Sequence, residues 1–437
     1  MSSMSEQPTP TISRVCQDGT LVEALYDPAS PATRLAIRKP DGSILEAGEF
    51  GDGDERLVPY SPRNNLLATG CVLLPSAVGD FEDKEDLVEE IRCFLRRYVE
   101  LSPTFDEIAP YYVLLTWVYD AFNELAYLRF RGEFGTGKTR ALIAVGSLCY
   151  KPFFASGAST VSPIFHVLDA FGGTLLLDEA DFRFTDATAE LTKILNNGTV
   201  RGLPVLRTMT NRHRELNPTA FRVFGPKIVA MREAFTDRAL ESRFITESMG
   251  RRPIGAGIPL HRPESLSEEA LYLRNRLLGW RFAARNSSAP DPSRSIAGAS
   301  ARLNQVALAL LSLVDDAPVR ERITSHLLAG DEASAPVVES FDVRLVRAVH
   351  QAFALADSPH VPISRVTEEF NSSLESFHIP YSAKAVGAMV RRLGLATSKS
   401  RGVYVISQGE RAKLTGLALR MGIDVSPMSS ITSETIA

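Results

Sequence analysis

Cysteine is scarce. The 437 residues hold four, Cys16, Cys71, Cys93 and Cys149, and no two stand at metal-ligand spacing. That excludes a zinc ribbon and a disulfide scaffold, and reads as reduced thiols of a cytosolic protein. Long apolar runs are missing too. Residues 152–168 carry no charge but are broken by Pro, Ser, Thr and His, and the apolar run 108–119 is too short to span a bilayer. Residues 1–10 are rich in Ser and Pro without an apolar core, which excludes a secretory signal there. The expectation is a soluble, cytoplasmic protein with no membrane partner. Charge of one sign is also lacking. A net charge of −4 gives no signal for a polyanion, so any basic surface must be local. What remains is an ordinary globular balance, 44% hydrophobic and 23% charged, on a chain long enough for two or three domains and a large core.

Against that background one motif stands out. Gly132, Glu133, Phe134, Gly135, Thr136, Gly137, Lys138 and Thr139 spell G-x-x-x-x-G-K-T. The apolar run 126–130 leads in as a strand, and a helix-compatible run beginning at Arg140 leads out. A loop at a strand-to-helix junction aims backbone N–H groups and the positive helix end at one spot, which suits a polyphosphate. Glycines let backbone approach phosphate with no Cβ in the way. Residues 132–140 are therefore expected to bind ATP, with Lys138 reaching the β- and γ-phosphates and the Thr139 hydroxyl ligating Mg²⁺. The bland alternative is a glycine-rich turn that matches by chance, and the strand and helix flanks argue against it.

A buried-strand pattern at 173–177 ends in two acids, Asp178 and Glu179. In P-loop enzymes a strand beside the phosphate loop delivers an Asp to the Mg²⁺ shell, the role expected of Asp178. Glu179 is then placed to orient and deprotonate the attacking water. Residues 178–181 spell D-E-A-D, but the helicases named for it need a second motor domain that the remaining chain is too short to form. The stretch between Lys138 and Asp178 leaves room for one intervening strand and its helices.

The rest of the chain reads in segments. Residues 1–80 form a β-rich accessory module with a hairpin around Pro40-Asp41-Gly42, and 81–125 a helical lead-in with helices at 86–101 and 110–122. Residues 126–250 alternate strands and helices, the pattern of a parallel α/β sheet. Within them, 205–209 and 220–224 pair as a hairpin whose tip carries Arg212 and Arg214, with the strand 227–231 after it. A helical lid covers 251–330, its first helix capped by Ser265 with Glu268, and a linker runs from Gly330 to Ser340.

At Ala239-Leu240-Glu241-Ser242-Arg243-Phe244 the chain resembles AAA+ ATPases. Their Ala-Leu-x-Ser-Arg-Phe element supplies an arginine finger to the γ-phosphate of the neighbouring subunit. The resemblance implies that role for Arg243, with Arg238 as the fallback. It also implies a homo-oligomer, most naturally a hexamer. A guanidinium suits the task because its charge is permanent and its donors lie in a plane. Together with the phosphate loop, residues 178–181 and Ile194-Leu195-Asn196-Asn197-Gly198, the element is similar to helicase-type ATPases of phages and mobile elements. That likeness covers about half the chain. In related superfamily 3 helicases, a hairpin before the sensor strand grips single-stranded DNA in a central pore, which implies that role for Arg212 and Arg214. AAA+ proteins usually end the sensor strand in Asn or Thr, whereas here Met231 is followed by Arg232 and Glu233. Arg302 is a candidate second phosphate sensor.

Residues 341–413 have the pattern of a winged helix-turn-helix. A third helix, 383–393, presents Lys384, Gly387 and Arg391 opposite its apolar face, with Arg392 beside them, and Lys399 and Arg401 lie on the wing. No acid occurs between Glu375 and Glu410, so the span suits duplex DNA, although such modules also dock proteins. Residues 421–437 read as a disordered tail. The fold class expected is α/β: a P-loop parallel-sheet ATPase core with a helical lid, an N-terminal β-rich module and a C-terminal winged helix. The functions weighed are a DNA helicase or replication initiator, an ATP-driven transcription regulator or loader, and an ATP-gated interaction scaffold.

Overall fold

The computed structural model describes residues 7–156, 159–178, 186–210, 216–235, 237–250, 255, 257–261, 263–334, 341–356, 358, 360–373, 380–400, 402–420 and 423. The chain divides into two compact units, Met1–Glu332 and Ala333–Ala437.

The first unit begins with β1 (Pro8–Thr11), β2 (Ser13–Val15), β3 (Leu21–Asp27), β4 (Ala32–Arg38), β5 (Ile44–Ala47), β6 (Phe50–Asp52) and β7 (Glu55–Pro59). Strands β2 to β5 form an antiparallel meander, and β1 runs parallel to β7, which pairs with β6. The β4–β5 turn is the one read from Asp41-Gly42. Gly42 takes φ +88, and the Asp41 carboxylate accepts from the Ser43 N–H at 2.9 Å. These strands share their apolar cluster with the rest of the unit, since Leu21, Leu25 and Ala36 pack in the same core as Phe130 and Leu277.

The helices α1 (Asn65–Ala68), α2 (Lys84–Tyr98) and α3 (Pro103–Val118) follow. The sequence placed the start of α3 at Pro110. The structure starts it at Pro103, where a missing N–H costs nothing, and caps it with Ser102, whose hydroxyl accepts from the Phe105 N–H at 3.2 Å. Pro110 sits inside the helix. Apolar residues on all sides of α3, among them Tyr112, Leu115 and Trp117, are fully buried, so tertiary packing outweighs the lost backbone bond.

The central sheet comprises β8 (Tyr127–Arg131), β9 (Phe153–Ser156), β10 (Leu175–Asp178), β13 (Lys227–Met231) and β14 (Phe244–Ser248) in the order β14-β8-β13-β10-β9, all parallel. The helices α4 (Lys138–Gly146), α5 (Val161–Phe171), α6 (Asp186–Asn197) and α7 (Arg238–Glu241) connect them, and a separate hairpin, β11 (Val205–Thr210) with β12 (Leu216–Phe221), precedes β13. As expected, one strand, β9, lies in sequence between the phosphate loop and the acids. The acid strand is not beside the phosphate-loop strand, however, because β13 arrives later in the chain and inserts between them. Strand β14 went unrecognised in the sequence because Phe-Ile-Thr-Glu-Ser is short and only its first two residues are apolar.

Three helices complete the unit: α8 (Ser265–Ala284), α9 (Ala301–Leu311) and α10 (Ala317–Ser334). Ser265 is not the cap of α8. The cap position is Glu264, which makes no side-chain cap bond, and the Ser265 hydroxyl lies 3.2 Å from that of Tyr98 instead. The linker expected from Gly330 begins later, since α10 runs on to Ser334.

Among the described residues, two lysines are buried in this unit without a carboxylate bonded to their amines. Lys227 donates to the carbonyls of Val223 and Gly225 at 2.8 and 3.0 Å, and burial pushes its pKa down to about 7. Lys151 donates to Ser13 Oγ and the Phe171 carbonyl at 2.7 and 2.6 Å, and burial brings it to about 8. The ordinary value is 10.5, so between these limits the unfolded chain binds more protons than the folded one. Stability is therefore expected to rise with pH from neutrality to about pH 9. Above that it should fall, because the thiols of Cys16 and Cys149, pushed up by burial from 9.0 to about 12, and the buried hydroxyls of Tyr112, Tyr127 and Tyr150 are held protonated. Urea midpoints at pH 7, 8 and 9 measure the rise, and Lys227→Met should flatten it. A midpoint that declines over that range contradicts the expectation.

The second unit contains α11 (Phe341–Ala354), β15 (His360–Pro362), α12 (Ile363–Ser372), α13 (Ala383–Arg392), β16 (Thr397–Ser400), β17 (Val403–Ser407) and α14 (Arg411–Arg420). Its antiparallel sheet has the order β15-β17-β16, and its core joins Val346, Val349, Val366, Phe370, Val386 and Ile406. Ser382 caps α13 and Gly394, at φ +88, ends it, both as read from the sequence. Of the tail, Ile423 is described and buried, while the rest lies outside the described residues.

Candidate functional site

All five strands of the central sheet point their carboxyl ends to one edge, where an open α/β sheet holds its ligands. At that edge β8 passes into the G-x-x-x-x-G-K-T loop. Gly132 is there for space rather than for φ: a Cβ would stand 2.7 Å from the Met249 carbonyl and 2.8 Å from Thr136 Oγ1. Gly135 and Gly137 take φ +78 and +88, which other residues rarely adopt. Gly137 is the N-cap of α4 and offers no side-chain acceptor, so the first N–H groups of the helix stay open to an anion. The loop is held by its own bonds. Thr136 Oγ1 and Lys138 Nζ both donate to the Glu133 carbonyl, at 2.8 and 2.7 Å. Phe134, between the first two glycines, is 86% exposed.

The two halves of the site meet across β13. Thr139 Oγ1 donates to Asp178 Oδ1 at 3.1 Å. A hydroxyl and a carboxylate face to face are hard oxygen donors of the kind Mg²⁺ takes. The residues present therefore fit Mg²⁺ with a nucleotide. Glu179 lies outside the described residues. Among the described residues, no group of three or more His, Cys, Asp or Glu gathers to hold a metal by itself, and no helix is long and apolar enough to cross a membrane.

Arg140, expected at the phosphates, is bonded here to backbone carbonyls beyond the loop. Its guanidinium donates to the Pro259 carbonyl and, at 2.6 Å, to the Leu260 carbonyl, pinning the segment that leads to α8. On one side of it is a cavity of about 490 Å³ lined by Leu101, Thr136, Thr246, Met249, Leu260 and His326. On the other is one of about 400 Å³ lined by Tyr98, Thr139, Ile143 and Leu266. The larger cavity borders the loop and is closed by groups that the sequence did not single out. The Glu247 carboxylate accepts from the Ser102 N–H and hydroxyl at 2.7 and 2.8 Å, tying the start of α3 to the end of β14. His326 packs edge-on to Phe105 there, and burial holds its pKa below the ordinary value. No local sequence signal marks this wall, because its residues come from four distant segments. Arg140→Ala frees the wall but leaves Lys138, Thr139 and Asp178 in place. It should raise KM for ATP about tenfold with little change in kcat, the pattern of lost uniform binding. Equal losses in kcat and kcat/KM would mean that Arg140 acts on the reacting phosphates after all.

Arg243 is held inside the subunit. It is 9% exposed and donates to Asn196 Oδ1 at 2.8 Å, to Thr199 Oγ1 at 3.3 Å and to the Ala239 carbonyl. It precedes β14, at the edge of the sheet away from its own phosphate loop. Burial, and then the positive charge of nearby Arg302, hold its pKa down. The Arg238 side chain lies outside the described residues.

The β11–β12 hairpin exists with a register that begins earlier than expected, Val205 opposite Phe221 and Thr210 opposite Leu216. Its base is fixed on α5 and α6, with Arg207 over the Phe165 ring at 4.6 Å and 3.3 Å from Glu190. Arg212 and Arg214 lie outside the described residues. Met231 is buried, while Arg232 and Glu233 are exposed.

In the second unit Lys384, Arg391, Arg392 and Lys399 are all exposed, and Arg401 lies outside the described residues. Gly387 departs from the expectation: it is buried, its Cβ position 3.5 Å from Ile363. The span free of acid in sequence is not free of it in space. Asp342 of α11 pairs with Arg392 at 3.4 Å, and Glu410 accepts from the Ala396 N–H at 3.0 Å.

No protein-family model matches the chain, and no curated protein matches it significantly. Solved structures similar to it include the C-terminal region of NrS-1, with TM-score 0.37 and 9% identity over 88% of this chain and 96% of that one. Another is SCCmec type IV Cch, described as an active helicase, with TM-score 0.32 and 12% identity over 93% and 95%. A third is the Orc1 protein of Aeropyrum pernix in complex with DNA, with TM-score 0.23 and 14% identity over 76% and 96%. Scores this low leave the fold and the site to be read from the chain itself.

Proposed function

We propose that this protein is an ATP-hydrolysing, DNA-binding motor of the helicase or replication-initiator kind found in mobile elements. The observation that carries the ATPase reading is Thr139 Oγ1 placed 3.1 Å from Asp178 Oδ1 at the mouth of a complete phosphate loop. When bound, Mg²⁺ neutralises charge that develops on the β- and γ-phosphates, and Thr139 and Asp178 are the residues that would hold it. Lys138 exchanges its bond to the Glu133 carbonyl for phosphate oxygen. Glu179 follows Asp178 and takes the proton of the attacking water. Arg243 serves the neighbouring subunit of an oligomer, a hexamer in this reading, and must leave Asn196 and Thr199 to do so.

The DNA reading rests on the basic tip of the β11–β12 hairpin for single strands, and on the second unit as a winged helix for duplex. In the latter, α13 is the recognition helix and β16–β17 the wing. ATP turnover measured with and without single-stranded DNA, alongside native mass, tests the whole. Stimulated turnover by an oligomer is expected, and Glu179→Gln should bind ATP without turning it over. A monomer whose turnover ignores DNA would move the assignment to an interaction scaffold.

A further inference from the structure

The hairpin β16–β17 carries a feature that the charge pattern does not explain. Successive residues of a strand point to opposite faces. Val405 and Ile406 are 3% and 0% exposed, so both faces of β17 are covered at that level. Two residues earlier on each face, Val403 and Tyr404 are 53% and 57% exposed. Cover is lost on both faces at once, so the hairpin end stands free as a blade, projecting two residues or roughly 7 Å. Each face of the blade ends in an uncovered hydrophobic side chain.

The Tyr404 face also carries cations. Lys399 is its cross-strand partner and is exposed. Thr397 lies on the same face, two residues behind Lys399, and its hydroxyl accepts from Arg391 Nη1 at 3.3 Å. The guanidinium at the end of α13 and the ring on the blade thus belong to one surface, two positive charges and an aromatic face. Phosphates suit the first and an unstacked base the second. An acidic protein would meet the cations equally well, but an aromatic ring flanked by two cations matches the alternation of base and phosphate along a strand; docking of a protein is the outcome that the test below separates.

We propose that the β16–β17 blade is a wedge for the end of a DNA duplex at a single-strand junction. Tyr404 stacks on the first exposed base, while Lys399 and Arg391 hold the phosphates beside it. This rests on the reading of the second unit as a duplex-binding module. The test uses the full-length protein and two DNAs, a forked duplex with 2-aminopurine in the pair at the fork, and a covalently closed circular duplex with no end. Tyr404→Ala should lower affinity for the fork about tenfold, within the range that one base–aromatic stack contributes. It should abolish the 2-aminopurine response and leave binding to the closed circle unchanged, and Tyr404→Trp should restore both fork readouts. Lys399→Ala should instead reduce the salt slope by about one unit on both DNAs. Fork affinity unchanged in Tyr404→Ala overturns the wedge and assigns the ring to protein docking. Equal weakening on both DNAs overturns it in favour of a general contact. Wild-type protein that binds neither DNA at low salt removes the duplex-binding reading and the wedge with it.

Discussion

Lys138→Ala is expected to leave ATP unbound at concentrations that saturate the wild type, with kcat/KM down about a hundredfold to a thousandfold or more. Lys138 is the cation of the loop best placed for the phosphates, since Arg140, the next along the chain, is engaged with the carbonyls of Pro259 and Leu260. Its ammonium rests on the Glu133 carbonyl at 2.7 Å, a neutral partner that it can exchange for a phosphate oxygen with little to lose. The side chain is half-exposed, so truncation leaves no cavity and no unpaired buried charge. Any loss of turnover then reports on the site and not on folding. Equilibrium binding of a fluorescent ATP analogue is the direct measurement. Affinity within twofold of wild type would refute the assignment of residues 132–139 as a phosphate cradle, whatever turnover did.

The second large effect is on stability. Arg281 of α8 is 1% exposed and sits among three segments far apart in sequence. Its Nε lies 2.7 Å from Glu23 of β3, and two of its nitrogens lie 2.9 Å from the two oxygens of Asp120, in the turn after α3. The Tyr150 hydroxyl is 2.7 Å from both oxygens of Glu23, and Arg281 stacks over the Tyr150 ring at 4.4 Å. Burial alone would raise the Asp120 pKa, but Arg281 and Arg285 outweigh it and hold the carboxyl far below its usual range. Arg281→Met strands the Glu23 carboxylate in the interior and leaves Asp120 to Arg285 alone. Removing one partner of a buried pair typically costs about 3–5 kcal/mol, a large part of the roughly 5–15 kcal/mol that holds a folded domain. The urea midpoint should fall accordingly. Adding Glu23→Gln and Asp120→Asn should recover most of the loss, because the cost lies in the uncompensated charges. A midpoint unchanged in Arg281→Met would show that water reaches these carboxylates.

The same network ties the N-terminal strands, read from the sequence as an accessory module, to the rest of the first unit. Glu23 ties the β3 sheet to α8, and Gly79 meets α8 so closely that a Cβ on Gly279 would lie 2.1 Å from its carbonyl. Arg274 adds a bond from α8 to the Ser147 carbonyl at 2.8 Å, at the end of the helix that follows the phosphate loop. The N-terminal strands, α8 and the end of α4 are therefore braced together, although residues 1–80 showed no chemistry of their own.

What the sequence determined by itself was whatever depends on neighbours along the chain. The phosphate loop needs glycines at set offsets and a strand and helix on either side. The β4–β5 turn needs Asp41-Gly42, and the ends of α13 need Ser382 and Gly394. Each is a short-range demand of backbone sterics or orphan hydrogen-bonding groups, so each was visible in a few residues. The tertiary structure decided what depends on which distant segments pack together. It inserted β13 between the phosphate-loop strand and the acid strand, yet brought Thr139 within 3.1 Å of Asp178. It carried α3 through Pro110 because the helix is buried on all sides. It buried Arg243 against Asn196, set Asp342 beside Arg392, and left Tyr404 uncovered at the end of the hairpin. Sheet order and side-chain burial are settled by the packing of the whole core, and no window of sequence contains that competition.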